Sequence, residues 1–131
     1  MKAYRISHGG QIDGLQLEDI VERPLKPYEV RVRVRAVSLN YRDLVIAKGM
    51  DPTKVDRPVI PCSDGAGDVI AVGSMVRRVK PGDRVAASFF PHWLEGGPDR
   101  SKVRNSLGGD VDGMLAEEVT LHEETLAKIP D

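Results

Sequence analysis

The stretch that most restricts this chain is residues 57–73, RPVIPCSDGAGDVIAVG. Pro58 and Pro61 keep the nearby backbone extended, because proline fixes its own φ and pushes the preceding residue out of the helical region. Gly65 and Gly67 follow, and glycine permits either a positive φ or the close approach of another backbone. The pattern predicts a turn through Gly65-Ala66-Gly67 and then an apolar strand over 68–72. Cys62, Ser63 and Asp64 thereby fall on a shaped loop, where binding and catalytic groups are usually presented.

Upstream, residues 29–37 read EVRVRVRAV, a period of two that predicts a strand with one buried and one wet face. Val30, Val32, Val34 and Ala36 share one face; Glu29, Arg31, Arg33 and Arg35 share the other. A row of arginines suits phosphate, but the net charge is −1 with both signs interspersed. That balance favours a solvated outer face and leaves no electrostatic footprint for nucleic acid or an acidic membrane. Residues 41–48 then read as a short helix. Asn40 is a favoured N-cap, Asp43 completes a capping-box pattern and suits the helix dipole, and Gly49 supplies a left-handed stop. These local roles explain Asn40 and Asp43 before any chemistry is invoked.

The remaining pattern is one of strands and turns. Residues 1–7 form a first strand running into Gly9-Gly10, with His8 a solvated loop histidine. A second strand covers 15–21 and is closed by Pro24 and Pro27, and 50–57 is a polar loop. Residues 76–79 resume the strand after Gly73-Ser74, and Lys80-Pro81-Gly82-Asp83 is a turn by composition. Further strands are expected over 84–89, 114–121 and 127–129. Residues 89–94 hold the aromatic cluster and the single tryptophan, and 95–113 form a long loop of the kind that is usually functional or mobile. Pro130-Asp131 resembles the N-cap threshold of a further element. Thirteen glycines and nine prolines divide these segments, so a mainly β, barrel-like fold with one helix is expected, in a single domain over 1–131. A domain of this size can bury about two-thirds of its unfolded surface. The single cysteine allows no internal disulfide and suits a reducing, cytoplasmic compartment. No apolar run approaches the ~20 residues of a membrane span, and the N-terminus lacks the apolar middle of a signal peptide.

Three chemistries can be weighed on the residues alone. Tetrahedral zinc wants three or four Cys, His or carboxylate ligands, commonly closely spaced cysteine pairs, whereas Cys62 is alone and His8, His92 and His122 are scattered. Gly65-Ala66-Gly67 could open a dinucleotide fingerprint, but Ile70 occupies the third glycine position and a strand follows where a helix is needed. Ser63 has no evident histidine partner and no nucleophile-elbow motif; Cys62 is most simply a small buried hydrophobe. Tyr41 and the Phe90, His92 and Trp93 cluster either line a pocket or plug one end of the barrel.

The ordered series VRVRAVSLNYRDLVIAKG, RPVIPCSDGAGDVIAVG, VKPGDRV and GMLAEEVTLHEETLAKIPD resembles the N-terminal half of medium-chain dehydrogenase/reductases across essentially the whole chain. The resemblance implies a GroES-like, partly open β-barrel with one or two short helices and no Rossmann domain in this chain. In that family this half supplies most of the substrate side of the active site, and a Rossmann domain that binds NAD(P)H follows. Zinc-containing members carry a cysteine near the start of the short helix and a G-H-E-G-A-G-type motif in the central loop. Asn40 stands at the cysteine position here, and Ser63 and Asp64 stand at the histidine and glutamate positions. The cysteine-rich lobe that holds structural zinc has no counterpart in 91–113. The chain is therefore similar to the zinc-independent, quinone oxidoreductase-like branch, often NADPH-linked. That similarity implies catalytic roles for Asn40, Tyr41, Asp43 and Asp64, with Asn40 and Tyr41 on the nicotinamide side. It implies substrate contacts from Ser63, Phe90, His92 and Trp93, a carbonyl or quinone substrate, no metal, and a homodimeric or homotetrameric parent. The alternative is a stand-alone GroES-like binding or assembly module without catalysis.

Overall fold

A computed structural model describes residues 1–7, 9–51 and 57–130. His8, most of the expected 50–57 loop and the N-cap-like Asp131 lie outside the described residues. Among these residues the fold is mainly β with one α-helix, in chain order β1 (Lys2–Arg5), β2 (Gln16–Asp19), β3 (Glu29–Ser38), α1 (Tyr41–Ala47), β4 (Asp64–Val72), β5 (Arg84–Ala87), β6 (Glu118–His122) and β7 (Leu126–Lys128). Strands β1 and β2 form an antiparallel hairpin, and the other five form one sheet in the order β6-β3-β4-β5-β7. The sheets are open and are not closed into a barrel. Short 3-10 turns at Ile12–Gly14 and Glu123–Thr125 complete the named elements.

The alternation in β3 does what its period requires. Val30 and Val32 are buried, Val34 is half-buried and Arg33 and Arg35 are exposed. These valines join Val69, Val79, Val85, Leu107, Met114, Val119 and Leu126 in the main core, each fully buried aliphatic side chain contributing roughly 1.5–3 kcal/mol. The phase then breaks. Val34 pairs with Gly67 and Ala36 with Ala66, so Arg35 is an extra residue in the ladder. Beyond this bulge Ala36 is exposed and Val37 turns toward the core, contrary to the expected face, because an inserted residue reverses a period of two. The arginine row is neutralised pairwise, Arg31 by Glu22 at 2.8 Å, Arg33 by Glu118 at 3.5 Å and Arg35 by Asp68 at 2.7 Å.

Two further expectations are corrected. Gly65-Ala66-Gly67 is not a turn: β4 runs unbroken from Asp64, and the glycines lie within it. The requirement at Gly67 is close approach, since a Cβ there would sit 2.1 Å from the Arg33 carbonyl oxygen. Residues 76–79 form no strand, because the Glu123 carboxylate accepts the Arg77 and Arg78 N–H groups at 2.7 and 2.8 Å in place of a ladder partner. Val79 is still buried in the core.

Helix α1 ends as expected. Gly49 has φ 69°, and its N–H and that of Met50 bond the Ile46 and Val45 carbonyls at 2.9 Å each, the Schellman closure. Its buried Ile46 and Ala47 face inward, and Ala47 packs with Ile6 and Val59 in a second, smaller core. That contact seats the helix against the segment leading into β4.

Candidate functional site

The antiparallel register of β3 and β4 places Ser38 opposite Asp64. Asn40, two residues further on, therefore arrives beside the start of β4. Its Nδ2 donates to Asp64 Oδ2 at 2.6 Å and reaches Ser63 Oγ at 3.4 Å. The Ser63 hydroxyl donates to the same Asp64 oxygen at 2.6 Å. Ser63 is fully buried, while Asn40 and Asp64 are half-buried. On the helix side the capping box is present, with Asp43 Oδ2 accepting the Asn40 backbone N–H at 2.8 Å. The other Asp43 oxygen is buried, on the side of the Cys62 thiol.

Cys62 lies under this cluster at φ 70°. A non-glycine residue in that region is strained and persists only where its surroundings over-determine it. Here the Met114 N–H bonds the Cys62 carbonyl at 2.8 Å, and the Gly113 N–H bonds the Ile60 carbonyl at 2.7 Å. Burial first, then the Asp43 carboxylate, pushes the thiol up to about 12, with Asp64 adding to it. The thiol is thus held protonated, with 1% of its residue surface exposed, as a small buried group.

The aromatic residues form a second group. Phe89 and Phe90 meet edge to face at 4.4 Å, Phe90 lies 6.1 Å from Trp93, and the Trp93 indole N–H donates to the Gly96 carbonyl at 3.0 Å. Tyr41 is the first residue of α1 and is 76% exposed, so its hydroxyl is available to whatever covers that face. His92 lines a different space, a cavity of about 300 Å³ shared with Asn105, Leu121 and His122. The fold therefore joins Asn40, Asp43, Ser63 and Asp64 by hydrogen bonds and joins Phe90 to Trp93 by ring contact. The element linking the two groups is Arg42, whose guanidinium lies 4.9 Å over the Phe89 ring. Sequence reasoning passed over Arg42 because an arginine in a short polar helix carries no signal of its own.

Residues 26–131 match the family of the alcohol dehydrogenase GroES-like domain. The chain belongs to that family. This GroES-like domain is 41% identical over 110 residues to the zinc-type alcohol dehydrogenase-like protein C1773.06c of Schizosaccharomyces pombe, covering 84% of this chain and 32% of that protein. It is 36% identical over 126 residues to the chloroplast envelope quinone oxidoreductase homolog of Arabidopsis thaliana, covering 95% of this chain and 33% of that protein. Among solved structures, an NAD-dependent alcohol dehydrogenase superposes with a TM-score of 0.83 at 32% identity, over 99% of this chain and 40% of the other. The chain thus spans about a third of the length of these curated relatives. The medium-chain dehydrogenase/reductase resemblance is borne out, with both alcohol dehydrogenase-like and quinone oxidoreductase-like relatives.

Proposed function

We propose that this GroES-like domain is the substrate-side half of a zinc-independent, NAD(P)H-dependent oxidoreductase of a reducing, cytoplasmic setting, with NADPH the favoured cofactor and a conjugated carbonyl or quinone as substrate. The observation that carries the proposal is the closed hydrogen-bonded set of Asn40, Ser63 and Asp64. Zinc sites are built from thiolate, imidazole and carboxylate donors. Here the three side chains are an amide, a hydroxyl and one carboxylate, and the carboxylate oxygen is already taken by the other two. Such a set orders polar groups without a cation, and it does not fit zinc.

The cofactor, when bound, supplies the hydride. This domain's part is to bind and orient. Asn40 and Tyr41 present the nicotinamide-facing polar groups, Asp43, Asp64 and the buried Ser63 hold Asn40, and Phe90 and Trp93 contribute to the substrate wall, while His92 lines the neighbouring cavity. Tyr41 is the candidate proton donor, its open hydroxyl free to come within hydrogen-bond reach of a developing oxyanion. The dinucleotide phosphates are not expected to be held here, because Gly65 and Gly67 are paired within the β3–β4 ladder and closed against Met114 and Arg33 rather than opened toward a helix N-terminus. The further length of the relatives fits a nucleotide-binding domain beyond residue 131.

Without that domain the reactants are not held together, and proximity and orientation are worth roughly 7–11 kcal/mol of a barrier. Residues 1–131 alone are expected to show no calorimetric binding of NADPH and no quinone reduction. The longer protein is expected to show both, and elemental analysis after dialysis should find no stoichiometric zinc. Saturable micromolar NADPH binding by residues 1–131, or one zinc per chain, would overturn the assignment. An inert longer protein would favour a binding module instead.

A further inference from the structure

Arg42 is the second residue of α1, next to Tyr41 and Asn40, and its guanidinium reaches out of the helix in three directions. Nη1 donates to the Leu107 carbonyl at 3.1 Å, Nη2 donates to Ser106 Oγ at 2.5 Å, and the plane lies 4.9 Å over the Phe89 ring. The Ser106 hydroxyl in turn donates to Asp110 Oδ2 at 2.8 Å, and the same oxygen accepts the Ser106 N–H at 2.8 Å. The positive charge is thereby linked to a carboxylate through one hydroxyl. Leu107 at the far end is a core residue, 1% exposed. Gly109 completes the seat, since a Cβ there would lie 2.3 Å from Arg42 Nη2. Only a planar fork can serve two acceptors and stack on a ring at once, a geometry lysine does not reproduce.

We propose that Arg42 is the positioning residue of this site. It clamps the first turn of α1, and with it Asn40 and Tyr41, to the 106–110 turn and the aromatic wall. The C-terminal end of α1 is seated by Ala47 in the smaller core; the N-terminal end, which carries the polar groups, is seated by Arg42. The role rests on the oxidoreductase reading for its chemistry, though not for its structural content.

The test is an amide NMR comparison of the 131-residue chain with Arg42→Met, Ser106→Ala and Gly109→Ala. Ser106→Ala and Gly109→Ala keep the guanidinium, so one of them decides the matter if Arg42→Met fails to fold. All three should move the backbone and side-chain amide resonances of Asn40, while the amides of Val69 and Val85 in the core stay in place. Shifts confined to 105–111 with Asn40 unmoved would overturn the clamp. In the longer enzyme, Arg42→Met should lower kcat roughly 10–100-fold, as a displaced reacting group does, with KM little changed. Unchanged kcat in an active enzyme would remove Arg42 from the catalytic arrangement. A wild-type enzyme with no NADPH-dependent reduction would sink the oxidoreductase proposal, and the resonance comparison would still decide the clamp.

Discussion

The β3–β4 ladder and the Asn40–Ser63–Asp64 cluster lie end to end along the same pair of strands, yet they are held by opposite means. In the ladder the bonds are between backbones, and side chains matter through burial, as with Val32 and Val69 at 1% and 2% exposure. In the cluster the backbone only delivers the residues, and side-chain hydrogen bonds of 2.6 Å do the holding. The ladder thus accepts changes on its wet face but none that separate its strands. The cluster accepts backbone give but loses its arrangement when a single oxygen is removed.

The sharpest way to break the ladder is Gly67→Ala. The added carbon would meet the Arg33 carbonyl oxygen at 2.1 Å and its carbonyl carbon at 2.8 Å, and backbone cannot yield as a side-chain tip can. A cost of about 3 kcal/mol, the upper end of ordinary overpacking, or more is expected, measured as a lower urea midpoint. A loss below about 1 kcal/mol would mean that the strands part more easily than the register implies.

Breaking the cluster should cost less. Asp64→Ala leaves the buried Ser63 hydroxyl and the Asn40 amide without their common acceptor, for which about 1–3 kcal/mol is expected. Hydrogen exchange should then quicken around residues 40 and 63 while the Val30–Val32 amides keep their protection. Equal quickening in both regions would show that cluster and ladder are one cooperative unit.

The smallest effect lies at the wet rim. Arg23 grips Glu29 with two bonds of 2.6 and 2.7 Å and, together with the Lys26 N–H, holds its carboxyl down at about 2. A folded value below the unfolded one of about 4.3 means that the pairing stabilises fully above that pH. The contribution is lost as pH falls through about 2. Arg23 is half exposed, so the loss should stay under about 1 kcal/mol. Urea unfolding of Glu29→Gln should accordingly depend less on pH in the acid range than the parent chain does. Identical acid profiles would remove Glu29 from the account.

How much of this was legible in the sequence depends on how far each feature reaches. The capping box is a spacing of three, and Asn40 and Asp43 announced it. The β3 alternation was equally plain as far as Val34, but the bulge at Arg35 is set by what β4 offers across the ladder, and no local pattern marks it. Gly67 was legible as special and misread as a turn, since the atom that demands glycine belongs to Arg33. Residues 76–79 have a strand's composition, yet Glu123, far along the chain, captures their N–H groups. Ser63 and Asp64 stand out on their shaped loop and, with Asn40, gain roles through family resemblance, whereas their bonding depends on the register that sets Ser38 against Asp64. Arg42 was invisible because its partners, Phe89, Ser106 and Leu107, lie in segments whose sequence says only aromatic or loop.

Cys62 gives this architecture an internal clock. It is the only thiol in the chain, it is sealed at 1% exposure, and it is held protonated by its surroundings. An alkylating reagent can therefore meet a reactive thiolate when the 60–62 segment lifts away from Gly108 and the 113–115 segment that pack on it. The ratio of its labelling rate to that of a free cysteine would count those openings directly, converting a strained loop residue into a gauge of how often the floor of the site breathes.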